Sequence, residues 1–232
     1  MLTNPPFGKK SSITVTNEEG EETKEAAVYY RGDFWATTSN KQLNFLQHVK
    51  SLLKIHGRAG IVVPDNVLFE GGAGETVRRK LLHECDVHTL SRLPTGVFYA
   101  QGVKANVLFF DRKAASETPW TKTLWIYDSR RNQHFTLKTN PLKRSDLDDF
   151  VACYHPENRF ERKETERFKP FEYDQLIKRD KANLDIFWLK DESLEDSSNH
   201  PDPDVIAAEI AEDLEAAIDQ FAQIASDLKP AS

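Results

Sequence analysis

The sequence predicts an α/β fold, a sheet covered on both faces. Three observations carry this prediction. After Asn40, the residues Leu43, Leu46, Val49 and Leu53 recur at three- and four-residue spacing, the stripe of a helix with one buried face. A wholly apolar run, Ala59-Gly-Ile-Val-Val63, follows and stops at Pro64. After a second helical stripe come two more apolar runs, Val87–Leu93 and Val103–Phe110. Continuous apolar strands that alternate with helices belong to sheets covered on both sides.

Each element is then read in order. Residues 1–3 are an apolar stub of a strand that ends at a Pro-Pro turn. Residues 11–39 are polar, with an acidic stretch at Glu18–Glu25, and read as a long loop of the kind that often serves a function. Gly57 can stop the first helix. The Glu70–Glu75 segment, with Gly71, Gly72 and Gly74, is a turn. No Lys-Ser/Thr follows it, so it is no P-loop. Val77, Leu81, Leu82 and Cys85 continue as a helix whose Arg78, Arg79 and Lys80 are read as a solvated face. The runs ending at Leu93 and Phe110 are joined by a loop at 94–102.

Beyond Asp111 the pattern changes. Leu124-Trp-Ile-Tyr127 and Phe135-Thr-Leu137 suggest a hairpin. Ser145 can cap a short helix carrying Leu147, Phe150 and Val151. Arg159, Arg162, Lys163, Arg167 and Lys169 alternate with Phe160 and Phe168, a pattern able to track a nucleic-acid backbone, diluted by four glutamates in the same stretch. Residues 191–203 are polar with two prolines and read as a linker. In 204–228, Ile210, Leu214, Ala217, Phe221, Ile224 and Leu228 form the seam of an otherwise acidic helix. The expected divisions are therefore 1–111, 112–190, 191–203 and 204–228.

Composition narrows the function classes. No apolar run approaches the ~18 residues of a membrane span, and the first residues lack the apolar core of a signal peptide. A cytoplasmic protein with no membrane partner is expected. Cys85 and Cys153 fit neither a disulfide framework nor a zinc site. The net charge of −6 at first argues against nucleic acid. However, residues 1–111 carry 13 basic and 12 acidic side chains and residues 112–181 carry 16 and 12, while residues 182–232 carry 2 and 13. The acidity sits in the tail, so DNA contact by the rest is open.

The tetrapeptide Asn4-Pro5-Pro6-Phe7 resembles the motif of amino-group methyltransferases that use S-adenosyl-L-methionine. Its chemistry suits that role. An exocyclic amine is a poor nucleophile because its lone pair is delocalised into the base. Acceptors aimed at both N–H bonds, the side-chain oxygen of Asn4 and the carbonyl of Pro5, favour a tetrahedral nitrogen and act on charge that develops in the transition state. Pro5 and Pro6 stiffen the turn. Phe7 offers a face on which a base can stack.

Two longer passages, Gly60-Ile-Val-Val-Pro-Asp-Asn-Val-Leu-Phe69 and Leu93-Pro-Thr-Gly-Val-Phe-Tyr-Ala-Gln-Gly-Val-Lys-Ala-Asn-Val-Leu-Phe-Phe110, are similar to the modification subunits of type I restriction systems. The likeness runs over nearly the whole chain. It implies the C-terminal half of a Rossmann-like methyltransferase sheet, with residues 86–93 and 103–110 paired antiparallel, followed by a small hairpin or irregular region and a C-terminal helix. It implies site-specific methylation of adenine N6 in double-stranded DNA. It also implies an aromatic at the base pocket from the loop between the last two strands, where Phe98 and Tyr99 stand. Phe98 is the choice for the edge contact on an extruded adenine, with a merely packed loop aromatic as the alternative.

In that family the S-adenosyl-L-methionine site uses a glycine-rich turn after the first strand and an acidic residue after the second, both ahead of the tetrapeptide. Only three residues precede it here, and no Gly-x-Gly turn follows a strand later. The cofactor site is therefore expected to be largely absent from this chain, which would need the missing half for activity, whether the gene is truncated, split or cropped. Two readings stay open: an enzyme half, or a non-catalytic remnant that serves as an assembly module. The expected partners are DNA, a specificity subunit held by the 204–228 helix, and a restriction subunit. The alternative for that helix is to fold back on its own domain.

Overall fold

The computed structural model describes residues 1–8, 30–98, 104–130, 135 and 140–189, with the backbone alone of two strands at Ser12–Thr16 and Glu22–Ala26. The strands are β1 (Leu2–Thr3), β2 (Ser12–Thr16), β3 (Glu22–Ala26), β4 (Arg58–Pro64), β5 (Cys85–Arg92), β6 (Ala105–Arg112), β7 (Thr123–Asp128) and β8 (Phe168–Glu172). The helices are α1 (Lys41–Leu52), α2 (Asn66–Phe69), α3 (Ala73–Glu84), α4 (Asp148–Tyr154) and α5 (Tyr173–Lys178). Tyr99, the linker at 191–203 and the helix expected at 204–228 lie outside the described residues.

Six strands form one sheet in the order β1-β4-β6-β5-β7-β8. β1 is parallel to β4 and β5 to β7, while β6 is antiparallel to both β4 and β5. The four parallel strands therefore end at one edge of the sheet. The α/β class, the stub at residues 1–3 and the antiparallel pairing of β5 with β6 all agree with the sequence reading. A Cβ on Gly60 would lie 2.9 Å from a Leu2 methyl carbon and 3.1 Å from the Phe109 ring, so a larger residue there would have to displace these side chains.

One face of the sheet is the core. Leu43, Leu46 and Val49 of α1 and Val77, Leu81 and Leu82 of α3 are buried with Ile61, Val63, Leu90, Leu108 and Phe110. Cys85 lies in the same cluster, and burial pushes its thiol up to about 12. The other face carries Phe109, on which Phe150 and Tyr154 of α4 pack at 6.1 and 5.4 Å between ring centroids. Alternation along β6 sends Leu108 and Phe110 one way and Phe109 the other.

Four expectations need correction. The span 11–39 is not all loop, because β2 pairs antiparallel with β3 from Ser12↔Ala26 to Thr16↔Glu22. Ser-Ile-Thr-Val-Thr has the β-branched alternation of a strand, but its charged partner strand hides the pair from a hydrophobicity pattern. The strand at Leu124–Tyr127 exists, yet its neighbours are β5 and β8 rather than Phe135–Leu137. Leu124, Ile126 and Tyr127 are all buried, as in a strand whose two faces are both covered. Phe135 is in no strand, and residues 136 and 137 are outside the described set. β7 and β8 thus extend the sheet beyond residue 111.

The third correction concerns Arg78, which is not on a solvated face but 2% exposed. Its guanidinium donates to the carbonyls of Val67, Glu70, Lys181 and Ala182 at 2.7–3.1 Å. Burial pulls its pKa down to about 10, which still leaves it charged at neutral pH. Gly74 makes the space, since a Cβ there would sit 3.1 Å from the Arg78 Nη1.

The fourth concerns the basic and aromatic run at 159–169, most of which is structural. Arg159 pairs with Asp111 at 2.8 Å and Asp86 at 3.5 Å. Arg162 is buried and donates to the carbonyls of His88 and Tyr154. Phe168 is core. Of the two aromatics only Phe160 is fully exposed.

Beneath this run, His88 lies 3.5 Å from Asp111 in the sheet face. Burial lowers the His88 pKa, aided by Arg159 and Arg162 and opposed by Asp111. Burial alone would raise Asp111, but His88 and Arg159 outweigh it and hold the carboxyl down to about 2. A histidine kept neutral in the fold takes up its proton more readily when unfolded. Its contribution is therefore complete above the unfolded value of about 6.5 and is lost as pH falls below it. The urea midpoint should drop between roughly pH 7 and pH 5, and His88→Gln should flatten that slope. A wild-type midpoint that stays level across this window would contradict the assignment.

Candidate functional site

Ligands of open α/β sheets collect beyond the carboxyl ends of the parallel strands. Here that edge brings together four segments distant in sequence. β1 delivers Asn4-Pro5-Pro6-Phe7, β4 delivers Pro64-Asp65-Asn66, β5 runs out through Arg92 toward Phe98, and β6 begins after Lys104. Asn4 and Pro6 are exposed, Pro5 is buried and Phe7 is half-buried.

Phe7 and Phe98 meet, with ring centroids 6.1 Å apart and planes inclined at 59°. Beside them a cavity of about 420 Å³ is lined by Phe7, Gly8, Gln42, Pro64, Asp65, Asn66 and Lys104, within the ~300–1,000 Å³ typical of small-ligand sites. Hydrogen bonds stiffen its walls. Gln42, in the first turn of α1, donates to the Gly8 carbonyl at 3.1 Å. Asn40 caps that helix, accepting from the amides of Gln42 and Leu43 at 3.0 and 3.2 Å, and donates to Glu70 at 2.7 Å. Asp65 accepts from the buried Asn106 at 2.7 Å, and its amide donates to the Lys104 carbonyl at 3.2 Å.

Of the residues picked out from the sequence, the edge unites Asn4, Pro5, Pro6, Phe7 and Phe98. Tyr99 is outside the described residues. The lining residues Gln42, Asp65, Asn66 and Lys104 were missed as site residues. Their one sequence signal is position, immediately after an apolar strand, before one, or in the first turn of a helix.

Chemically, the site offers a rigid amide and carbonyl pair, an aromatic face, a second ring beside it and a polar wall. That set can hold a flat heteroaromatic ring and accept from its amine. It does not resemble a donor site for S-adenosyl-L-methionine. No described strand is followed by a glycine-rich turn, because Gly71, Gly72 and Gly74 follow α2 and lie at the start of α3. Among the described residues no cluster of three or more His, Cys, Asp or Glu could hold a metal, and no helix is long and apolar enough to cross a membrane.

Comparison with known proteins identifies the family. A family model described as N-6 DNA Methylase matches residues 1–190. The type I restriction enzyme EcoKI methylase subunit of Escherichia coli is 36% identical over 98% of this chain and 46% of its own length. The StySJI methylase subunit of Salmonella typhimurium is 34% identical over the same shares. The crystal structure of the EcoKI M protein matches with a TM-score of 0.66 at 34% identity, covering 100% of this chain and 50% of that one. The chain thus spans about half the length of the curated relatives it matches. On the family match, the mixed sheet shared with the EcoKI protein and the tetrapeptide at its strand end, the chain belongs to the N-6 DNA methylase family.

Proposed function

We propose that this chain carries the base-binding and catalytic turn of a site-specific adenine-N6 DNA methyltransferase, the modification subunit of a cytoplasmic type I restriction-modification system. The observation that supports this most is the meeting of Phe7 with Phe98 at the strand end that presents Asn4. An adenine extruded from double-stranded DNA stacks on Phe7 and meets Phe98, and about 1–3 kcal/mol of stacking offsets the cost of extrusion. The Asn4 side-chain oxygen and the Pro5 carbonyl accept from the two N6–H bonds and draw the nitrogen toward tetrahedral geometry. S-adenosyl-L-methionine supplies the methyl group, held by residues other than those described here.

Mixing the chain with a polypeptide that carries the donor-binding half of a relative tests this reading. Methyl transfer to DNA should appear only when both are present. If no such partner yields transfer while the chain still assembles with a specificity subunit, the chain is an assembly module and the catalytic reading fails.

The assembly surface belongs to the same proposal. If residues 204–228 are helical, Ile210, Leu214, Phe221, Ile224 and Leu228 line up as an apolar seam among acidic residues, which suits another helix and not a phosphate backbone. We assign it to a specificity subunit, with a restriction subunit joining the assembled complex. Phe221→Asp should abolish co-purification with the specificity subunit and leave the melting of residues 1–189 unchanged. Early melting of the whole domain, with no partner recovered from the wild type, would mean that the helix folds back on its own core.

A further inference from the structure

A second aromatic stands on the same sheet edge. Phe187 follows α5 in a segment that crosses the ends of β5 and β7, and it is 65% exposed. Exposure of so large an apolar ring is uncommon within an anchored segment, and this one is anchored on both sides. Leu184 and Ile186 are buried, and the Ile186 carbonyl accepts from Arg92 at 3.2 Å. Trp188 donates its indole N–H to the Glu166 carbonyl at 2.8 Å and packs on Phe171.

Two guanidinium groups lie over the Phe187 ring, Arg92 at 4.8 Å and Arg130 at 4.7 Å from its centre. Both come from the ends of the adjacent parallel strands β5 and β7. Cation–π contact orients the ring. Each guanidinium already has a carboxylate of its own, Arg92 with Asp185 and Arg130 with Asp128. The cations are thus neutralised internally, and the element left to meet a ligand is the ring. A phosphate would find no free charge here, whereas a nucleobase would find a fixed apolar surface.

This ring is tied to the candidate base pocket. The fully buried Arg92 reaches back to within 3.8 Å of Asp65, which lines the cavity beside Phe7. Along the sheet, Phe7 at the end of β1 and Phe187 at the ends of β5 and β7 are three to four strands apart, about 14–19 Å. At the rise of a DNA strand that is about four to six nucleotides.

We propose that Phe187 is a second nucleobase contact, taking an unpaired or opened base about four to six nucleotides from the target adenine at the rise of a DNA strand. It rests on the reading of the Phe7 pocket as the target site. Arg92 positions both, since one guanidinium holds the Phe187 ring and faces the pocket carboxylate.

Photochemical cross-linking of the full chain separates this inference from the reading beneath it. The probe is a thymidine oligonucleotide with a single adenine, in which iodouracil replaces one thymine at a time. A second probe carries 8-azidoadenine in place of the adenine. Iodouracil placed about four to six nucleotides from the adenine should cross-link to the peptide containing Phe187, and 8-azidoadenine to Phe7 or Phe98. Phe187→Ala should cut the first yield about ten-fold, the scale of one base–aromatic stack, while Phe187→Tyr retains it and neither changes thermal melting. Azidoadenine cross-links at Phe7 or Phe98 with none at Phe187 would overturn the inference and leave the pocket reading standing. Cross-links at Phe187 alone would keep the base contact and remove the pocket. Cross-links at neither place would overturn both.

Discussion

Asn4→Ala should lower methyl transfer by the complemented enzyme about 10²–10³-fold, the usual cost of deleting one preorganised group aimed at transition-state charge. DNA affinity should change little, because Asn4 is read as acting on the amine after the base has left the duplex. Phe7→Ala should behave differently. It removes a platform worth ~1–3 kcal/mol of base stacking, so its loss should fall on capture of the extruded base, with a rise in KM accompanying any fall in kcat. A mutant retaining wild-type turnover at Asn4→Ala would remove the catalytic role from the turn. Single-turnover rates alongside DNA binding isotherms make the distinction.

The second large effect concerns stability. Arg78→Met should destabilise residues 1–189 by about 3–5 kcal/mol, because four carbonyls lose their donor and several of them are out of reach of water. The fold ties two regions together at this side chain, since Val67 lies in α2 and Glu70 just after it, while Lys181 and Ala182 lie more than 100 residues later. Lys80, on the exposed face of the same helix, is the control. Its ion pair with Glu84 is long, at 4.0 Å, and open to solvent, so Lys80→Met should change stability by less than about 0.5 kcal/mol. Urea unfolding of the two variants gives the comparison, and equal midpoints would mean that Arg78 does not bind the segments as described.

How much of this was legible in the sequence depended on how local each feature is. The tetrapeptide at Asn4–Phe7 can be read directly, because four consecutive residues carry its chemistry and the strand before it places it at the sheet edge. The antiparallel pairing of β5 with β6 followed from the family resemblance, since the two apolar runs by themselves look the same for either direction. Arg78 escaped for a geometric reason. It stands beside Arg79 and Lys80 in sequence, but successive helical residues turn by about 100°, so one faces the core while its neighbours do not. Only Gly74, one helical turn earlier, hinted at the space it occupies. Asp65 and Lys104 line the cavity because β4 and β6 are neighbours in the sheet, and no pattern within either segment reveals that. The partner of β7 was misplaced because Phe168–Glu172 reads as part of a charged run, with Lys169 and Glu172 flanking its apolar residues.

The identity of the methylated atom tests the central claim most directly. DNA from the complemented reaction, digested to nucleosides and analysed by mass spectrometry, should contain N6-methyladenine as its single new nucleoside, and that product should disappear with Asn4→Ala. N4-methylcytosine in its place would contradict the assignment of adenine to the Phe7 pocket, and N6-methyladenine formed undiminished by Asn4→Ala would show that the catalytic turn lies elsewhere.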